Sequence, residues 1–351
     1  MNSNTQAFCD ALSIKLPIIQ APMAGLQTSA MASAVCNAGG LGSLPTATLS
    51  LEALDKELKA LKLGTSGAFN VNFFVHEVPL ADTAREAAWR HALASYFQEY
   101  GIDAASIPAG PGRAPFSHAA ADIVAAYKPA VVSFHFGLPK DDLLARVRSW
   151  GSQIWSSATT LAEARWLEQQ GVNAIIAQGL EAGGHRGIFL GKDLSTQLGS
   201  FALIPQIVAA VKVPVIAAGG LADARGVQAA LQLGAAAAQI GTAYLLCDEA
   251  TTSGVHRQAL KSGAAQHTAL TNLFTGRPAR GIVNRLMREL GPISAYAPEF
   301  PLASAALAPL RAQAEAAGSG DFTSMWAGQN TSGCKEISAA ALTLQLGALS
   351  T

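Results

Sequence analysis

The stretch VNAIIAQGLEAGGHRG, residues 172–187, passes from an apolar run directly into a glycine-rich loop that carries a histidine. A short apolar run that ends in glycine is typical of a buried strand whose carboxyl end opens into a site. Four glycines within nine residues let the backbone adopt positive φ angles and approach a bound group closely. His185 adds a side chain that can exchange a proton near neutral pH.

Two further stretches repeat this change from strand to glycine loop. They are Val213-Pro-Val-Ile-Ala-Ala-Gly-Gly220 and Ala236-Ala-Ala-Gln-Ile-Gly-Thr242. In a barrel of alternating strands and helices, the loops after the last two strands commonly hold a phosphate group. Three such junctions in series therefore predict a barrel with a phosphate-bearing ligand on one rim.

Short β-type runs alternate with segments of helical period along the whole chain, as in repeated βα units. The predicted strands are residues 17–23, 40–44, 68–74, 131–136, 153–157, 174–178, 213–218 and 236–240. The predicted helices are residues 29–38, 50–61, 118–127, 140–149, 160–170, 199–211 and 223–233. Eight parallel strands with right-handed crossovers predict an α/β fold, the TIM (β/α)₈ barrel. An open doubly wound sheet is disfavoured, because it would rarely need the glycine loops after the last two strands to be so alike.

The residues between the third and fourth predicted strands interrupt this order. Residues 76–117 contain a predicted helix over 82–100 and end in a segment rich in proline and glycine, and they are too many for an ordinary βα connection. We therefore predict a barrel from residues 1–75 and 118–249. Residues 76–117 and 250–351 are predicted to form a smaller, mostly helical accessory cap over the barrel mouth.

Charge and cysteine content narrow the class of protein. The chain has 24 Lys and Arg against 24 Asp and Glu, so it offers no basic field for nucleic acid or an anionic membrane, and small molecules are the predicted partners. The four cysteines are far apart and lack CxxC spacing, which indicates a reducing compartment. The first 20 residues lack a basic start followed by a long apolar run. We predict a soluble, cytoplasmic protein that is a monomer or a homodimer.

The predicted phosphate site lies in the loops after the last two strands. Gly219, Gly220, Gly241 and Thr242 occupy these loops. Their backbone N–H groups, the threonine hydroxyl and the start of a following helix suit an anion. Glycines that only form tight turns are the alternative, but two such loops in corresponding positions favour a phosphate.

Two histidines lie at the same predicted rim. His185 follows a glycine pair after the sixth strand, and His135 ends the fourth strand. We predict a catalytic or substrate-polarising role for both, against the alternative of a structural histidine. The other five histidines are predicted to lie on the surface. No metal site and no serine hydrolase is predicted, because the HxxxH, HExxH and GxSxG motifs are absent.

The motifs of this chain resemble those of the class I nitronate monooxygenases, formerly called 2-nitropropane dioxygenases, over most of its length. The resemblance rests on QAPMAG (20–25), GGLG (39–42), NVNFF (70–74), VVSFHFG (131–137), AQGLEAGGHRG (177–187), AAGGLA (217–222), QIGT (239–242) and GRPAR (276–280). Taken singly, the barrel motifs are shared with flavin-dependent enoyl reductases and NADH:quinone reductases.

The resemblance implies FMN held in the barrel without a covalent bond. The implied cofactor-binding residues are Gly219, Gly220, Gln239, Ile240, Gly241 and Thr242 at the phosphate, and Met23, Asn72, Gln178 and Gly183 at the ring and ribityl chain. His185 matches the active-site histidine of the family, and His135 matches the additional histidine of class I. Tyr296 is the candidate for a substrate-binding tyrosine near the mouth, ahead of Tyr100 and Tyr244.

The activity implied by the resemblance is the oxidation of alkyl nitronates, with propionate 3-nitronate as the favoured substrate, by dioxygen to a carbonyl compound and nitrite. The implied route passes through a flavin semiquinone and needs no reduced nicotinamide. His185, together with His135, would hold the nitronate anion, and His185 would act as a base towards a neutral nitroalkane. A substrate carboxylate would need a cation, for which Arg186, Arg277 and Arg280 are candidates without an assigned role. For Arg277 and Arg280 the alternative is a structural role that ties the accessory region to the barrel.

Two alternatives stay open. An FMN-dependent NADH:quinone or enoyl-thioester reductase would use the same barrel with a nicotinamide groove, and rapid bleaching of its flavin by NADH without oxygen would identify it. A non-catalytic phosphate-binding barrel would be colourless, or would carry a flavin that reacts with neither nitronate nor NADH.

Overall fold

The computed structural model describes residues 3–80, 82–108 and 113–348. Its strands are β1 (Ile18–Gln20), β2 (Gly42–Pro45), β3 (Phe69–Phe74), β4 (Val131–His135), β5 (Gln153–Ala158), β6 (Ala174–Gln178), β7 (Gly184–His185), β8 (Val215–Ala218), β9 (Ala237–Ile240), β10 (Thr268–Thr271) and β11 (Ala279–Ile282). Its α-helices are α1 (Ser3–Leu12), α2 (Ser29–Asn37), α3 (Leu51–Gly64), α4 (Thr83–Ala92), α5 (Ala94–Glu99), α6 (His118–Tyr127), α7 (Asp141–Ser149), α8 (Leu161–Gln169), α9 (Ser200–Ala210), α10 (Ala224–Gln232), α11 (Gly254–Leu260), α12 (Arg285–Leu290), α13 (Ser304–Ala316) and α14 (Ala339–Gly347). None of these helices is long and apolar enough to cross a membrane.

Eight of the strands form one parallel sheet in the order β1-β9-β8-β6-β5-β4-β3-β2. β1 and β2, the first and last strands in this order, meet where Ile19 pairs with Leu41, just before β2 begins. There the N–H of Gln20 donates to the Leu41 carbonyl at 3.0 Å, and the N–H of Leu41 donates to the Ile18 carbonyl at 2.9 Å. The sheet is therefore closed. The predicted TIM barrel is confirmed, and each predicted barrel strand and helix is present to within three residues at its ends.

Side-chain caps fix where the barrel helices begin. Ser50, Thr160 and Asp223 each have an extended backbone, and each side chain accepts the N–H of the residue three positions on, in α3, α8 and α10 respectively. Such caps satisfy backbone donors that the first helical turn leaves unpaired. Each of these helices therefore starts directly after its βα loop, which keeps the loop close to the strand end that precedes it.

Helix α1 closes the amino-terminal end of the barrel, a feature that the sequence did not predict. Phe8, Cys9 and Leu12 of α1 pack in one apolar cluster with residues of the barrel strands. The rings of Phe8 and Trp155, which belongs to β5, have centroids 5.7 Å apart. Because this end is covered by apolar side chains, the opposite end, where the strands finish, is the one left to bind a ligand.

The insertion and the C-terminal part share a second apolar core beside the barrel. Trp89 of α4 and Tyr96 of α5 pack with Leu307 and Leu310 of α13 and with Phe322. A three-stranded antiparallel sheet in the order β10-β11-β7 adds to this helical core. Because β7 belongs to the loop after β6, this sheet attaches the accessory region to the rim of the barrel.

The position of the last helix, α14, differs from the predicted division of the chain into barrel and cap. The prediction assigns residues 250–351 to the accessory cap, but α14 packs on the barrel. Leu342 and Leu346 of α14 belong to one apolar cluster with Met31 of α2 and Val227 of α10. Helix α14 thus completes the outer ring of helices between α10 and α2.

Candidate active site

A large cavity opens at the carboxyl end of the barrel strands. Its empty space is about 1210 Å³, including the part that opens to solvent. Its walls come from β3, β4, β5, β6, β8 and β9 and from the loops that follow β1, β6, β8 and β9. Arg113 and the segment from Trp326 to Asn330 add walls from the accessory region.

The structure brings all but one of the predicted site residues together in this cavity. They are Met23, Asn72, His135, Gln178, Gly183, His185, Gly219, Gly220, Gln239, Ile240, Gly241 and Thr242. The exception is Tyr296, which is 60% exposed and does not line the cavity. The aromatic residue of this region that reaches His185 is Phe300, whose ring centroid lies 5.3 Å from that of the imidazole. A phenylalanine ring can be buried among other rings at no polar cost. A tyrosine buried in the same place would leave its hydroxyl group without a hydrogen-bond partner.

The glycine loops after β8 and β9 allow a ligand to approach the backbone closely. Gly219 and Gly220 have φ angles of 109° and 76°, which residues with a Cβ rarely adopt. The Thr242 hydroxyl oxygen accepts the N–H of Gly328 at 2.9 Å, so the hydroxyl hydrogen can still be donated to a ligand. Asn330 donates its side-chain N–H to the Gly220 carbonyl at 3.0 Å. The segment that carries Gly328 and Asn330 thus covers the rim, and no motif in the sequence indicated this.

The loop that carries His185 is held by two buried side chains. Gln178 donates to the His185 carbonyl at 2.9 Å, and its side-chain oxygen accepts the N–H of Gly187 at 2.8 Å. Arg186 is fully buried, and its guanidinium donates to the carbonyl of Gln178 at 2.8 Å and to that of Gly179 at 2.6 Å. These four hydrogen bonds fix the backbone of the loop against the end of β6.

The hydrogen bonds of His185 determine which ring nitrogen carries the proton. Its Nε2 lies 2.9 Å from the Thr275 hydroxyl oxygen, and that hydroxyl donates to the Arg277 carbonyl at 3.4 Å. We therefore assign the Thr275 oxygen as the acceptor and the ring proton to Nε2, which leaves the lone pair on Nδ1. Burial, and then the charge of Arg113, hold the pKa of His185 well below its ordinary value. At neutral pH the ring is an uncharged base.

His135 supports the same loop from the end of β4. Its Nε2 donates to the His185 carbonyl at 3.1 Å, and its Nδ1 accepts from the Ser157 hydroxyl at 2.9 Å. Burial is the main reason why the pKa of His135 falls to about 3. Both ring nitrogens of His135 are thus bonded to protein groups. Through its bond to the His185 carbonyl, His135 helps to orient His185. A direct part of His135 in catalysis stays a prediction.

Acid is expected to destabilise the protein through His135. A histidine of the unfolded chain titrates near pH 6.5, whereas the pKa of His135 in the folded protein is about 3. The unfolded chain therefore binds a proton first, and stability that is present above pH 6.5 is lost as the pH falls towards 3. Between pH 7 and pH 5 we expect His135 to account for about 1 to 2 kcal/mol of lost unfolding free energy, measured by urea denaturation.

The control for this pH dependence is His135→Gln, which has a donor for the His185 carbonyl but no group that titrates in this range. Its loss of stability between pH 7 and pH 5 should be smaller than that of the unmodified protein. Equal losses in the two proteins would contradict the assignment of a buried neutral ring to His135.

The arginine candidates from the sequence are all bonded away from the cavity. Arg277 donates to the Ile188 carbonyl, and Arg280 donates to the Leu180 carbonyl at 3.0 Å. Neither of them, nor Arg186, lines the cavity wall, whereas Arg113 does. The sequence did not single out Arg113, because it lies in an irregular segment without a motif.

The surface prediction is wrong for two of the remaining histidines. His76 and His256 are 6% and 1% exposed. The Nε2 of His76 lies 2.9 Å from the Arg113 carbonyl, and its ring packs edge-on to Phe300 with centroids 4.8 Å apart. These partners come from distant parts of the chain, so no local pattern around His76 could indicate burial.

The fold and the cavity together define a (β/α)₈ barrel enzyme with a glycine rim suited to phosphate and an oriented, neutral histidine in the same chamber. The family model for nitronate monooxygenase matches residues 5–348 of this chain. Over 347 residues the chain is 42% identical to a nitronate monooxygenase of Paraburkholderia phytofirmans, which covers 97% of this chain and 94% of that relative. It is 40% identical to a nitronate monooxygenase of Pseudomonas aeruginosa, with 96% of this chain and 97% of that relative covered.

A solved structure is similar over the same length. It is the crystal structure of nitroalkane oxidase from Streptomyces ansochromogenes, with a TM-score of 0.88, 38% identity and 97% of both chains covered. The chain therefore belongs to the nitronate monooxygenase family, which is a family of flavin-dependent oxidoreductases. This confirms the resemblance to nitronate monooxygenases that the sequence motifs indicated.

Proposed function

We propose that the protein is an FMN-dependent nitronate monooxygenase that oxidises alkyl nitronates, preferably propionate 3-nitronate, with dioxygen to a carbonyl compound and nitrite. The observation that carries this proposal is the state of His185, which lines a cavity with a glycine rim and whose Nε2 lies 2.9 Å from the Thr275 hydroxyl oxygen. An imidazole held in this way presents the unprotonated Nδ1 as a base.

The residues of the cavity fit FMN. The side-chain oxygen of Gln239 is buried on the cavity wall and has no hydrogen-bond partner among the described residues, which leaves it available to a polar group of a ligand. Among the described residues that line the cavity none is acidic. Gly219, Gly220 and Thr242 would hold the phosphate, as the structure of their loops allows.

The remaining predicted contacts would hold the flavin ring and ribityl chain. We assign these contacts to Met23, Asn72, Gln178 and Gly183, all of which line the cavity. Asn72 is held in place by the Ser133 hydroxyl, to which it donates at 2.9 Å. When bound, FMN would supply the electron transfer from the substrate and the reaction with dioxygen.

The chain itself would position the substrate and move one proton. A neutral nitroalkane gives up the proton on the carbon beside the nitro group, and the Nδ1 of His185 would accept it. The rings of Phe74, Phe300 and Trp326 lie within 6 Å of the His185 ring, measured between centroids. They surround the base with apolar surface, which keeps it uncharged and ready to accept the proton.

The test of the proposed function is a comparison of two possible reductants of the purified protein. Without oxygen, a preformed alkyl nitronate is expected to change the flavin absorbance within seconds, and NADH is expected to leave it unchanged over minutes. With oxygen, the nitronate should produce nitrite and consume dioxygen. Rapid bleaching by NADH together with no response to nitronates would overturn the proposal in favour of a reductase, and purified protein without a flavin would overturn it as well.

A further inference from the structure

We propose that Arg113 is the specificity-determining residue of this site, and that its guanidinium binds a carboxylate at the end of the substrate remote from the nitronate group. The inference rests on the proposed function and adds to it the residue that recognises the carboxylate of the proposed substrate. Arg113 thereby takes the place of the three arginine candidates that the sequence analysis named.

The first step is the charge of Arg113, which no acidic residue balances. Within the part of the chain that the structure describes, Arg113 takes part in no ion pair, although it lines the cavity. Burial, and then the like charge of Arg311, hold the pKa of Arg113 below its ordinary value. A guanidinium stays protonated under such conditions. An unpaired cation in a partly buried position is costly, and an anionic ligand would offset that cost.

The second step is elimination of the other cations near the cavity. The guanidinium of Arg277 donates to the Ile188 carbonyl and lies over the Phe136 ring, with its carbon 3.8 Å from the centroid. Arg186 and Arg280 donate to carbonyls at the end of β6 and in the loop after it. Each of these side chains therefore has a structural role. Among the described residues, Arg113 is the one arginine or lysine that lines the cavity wall.

The third step is the position of Arg113 relative to the base. The Phe300 ring lies 5.3 Å from the His185 ring and 5.6 Å from the guanidinium carbon of Arg113. His76 holds the backbone of Arg113 through its carbonyl at 2.9 Å, and its ring also packs on Phe300. A base and a cation are thus fixed around one aromatic ring. This arrangement suits a short molecule with its reacting carbon at His185 and an anionic group at its other end.

The chemistry of the guanidinium decides which anionic group it would take. Its planar set of N–H donors matches the two oxygens of a carboxylate, and such paired bonds are stronger and more specific than those of an ammonium group. A nitronate has two oxygens as well, but its carbon has to stay close to His185. A second anionic group on the same substrate is therefore the one assigned to Arg113.

The test compares two nitronates of equal chain length in the holoenzyme and in Arg113→Gln. For propionate 3-nitronate, kcat/KM should fall by about 100-fold, the expected result of losing paired charge-assisted hydrogen bonds. For propyl-1-nitronate, which lacks the carboxylate, kcat/KM should change by less than about threefold. Arg113→Lys should recover part of the loss with the acid. Arg165→Gln, a change of an exposed arginine on α8, is the matched control and should affect neither substrate.

A binding measurement separates this inference from the proposed function. Propionate, which has the carboxylate and cannot react, should perturb the flavin absorbance of the unmodified holoenzyme, and its Kd should rise by at least about tenfold in Arg113→Gln. Equal losses on both nitronates, or no loss on either, would overturn the role of Arg113 while leaving the proposed function intact. An unmodified protein that oxidises neither nitronate would instead remove the proposed function.

Discussion

Replacing His185 with asparagine is expected to lower kcat/KM for a neutral nitroalkane by about 10³-fold, which is within the range of a lost general base. The asparagine amide is smaller than the ring and can still form hydrogen bonds, but it cannot take up a proton. The loss follows from the geometry: the Thr275 contact at 2.9 Å occupies Nε2, so the proton has to go to Nδ1. Steady-state oxygen consumption with a short primary nitroalkane measures the effect.

The preformed nitronate provides the internal control for His185→Asn. Its proton has already been removed, so the variant should lose less than about tenfold in kcat/KM, through weaker positioning alone. His118→Asn changes a histidine whose side chain is 62% exposed and should leave both activities unchanged. Equal losses on nitroalkane and nitronate would contradict the role of a base and would make His185 a group that binds the anion.

The barrel could be predicted from the sequence because each βα unit carries its own signals within a few residues. The run of residues 174–178 is apolar enough to be a buried strand by itself. Thr160 caps α8 through the N–H of a residue three positions away, and the glycines at 219 and 220 allow the sharp turn at the end of β8. Signals that act over so few residues can be recognised without knowing the rest of the fold.

The cavity could be predicted only in part. The walls that the barrel loops do not form depend on contacts between segments that are distant in the sequence. The partner that sets the proton of His185 is Thr275, 90 residues away. Arg113 reaches the cavity from an irregular segment of the insertion. Tyr296 and Phe300 lie four residues apart, and neither strand nor helix period indicates which of them turns inward. Tertiary packing makes that choice, since Phe300 fits among the rings around His185.

The Arg186→Met substitution is expected to lower the free energy of unfolding by about 3 kcal/mol or more, measured by urea denaturation of the flavin-free protein. Arg186 is fully buried and donates to the carbonyls of Gln178 and Gly179 and to the side-chain oxygen of Gln197. Methionine occupies a similar volume but donates nothing, so three buried oxygens lose a partner. Burial lowers the pKa of Arg186 to about 10, which leaves it charged at neutral pH, and the bonds that are lost are therefore charge-assisted.

Arg225→Ala is the matched control for this loss of stability. Its side chain is 92% exposed and pairs with Asp223 at 3.2 Å, and ion pairs in water contribute little, so the change should stay within about 0.5 kcal/mol. Because two of the oxygens bonded by Arg186 are the carbonyls of Gln178 and Gly179, where β6 leads into the loop that carries His185, the holoprotein of Arg186→Met should also lose flavin more readily on dilution. A flavin-free Arg186→Met protein as stable as the unmodified one would show that the end of β6 holds its shape without the guanidinium. Flavin loss in such a protein would then need a cause other than the folding of this loop.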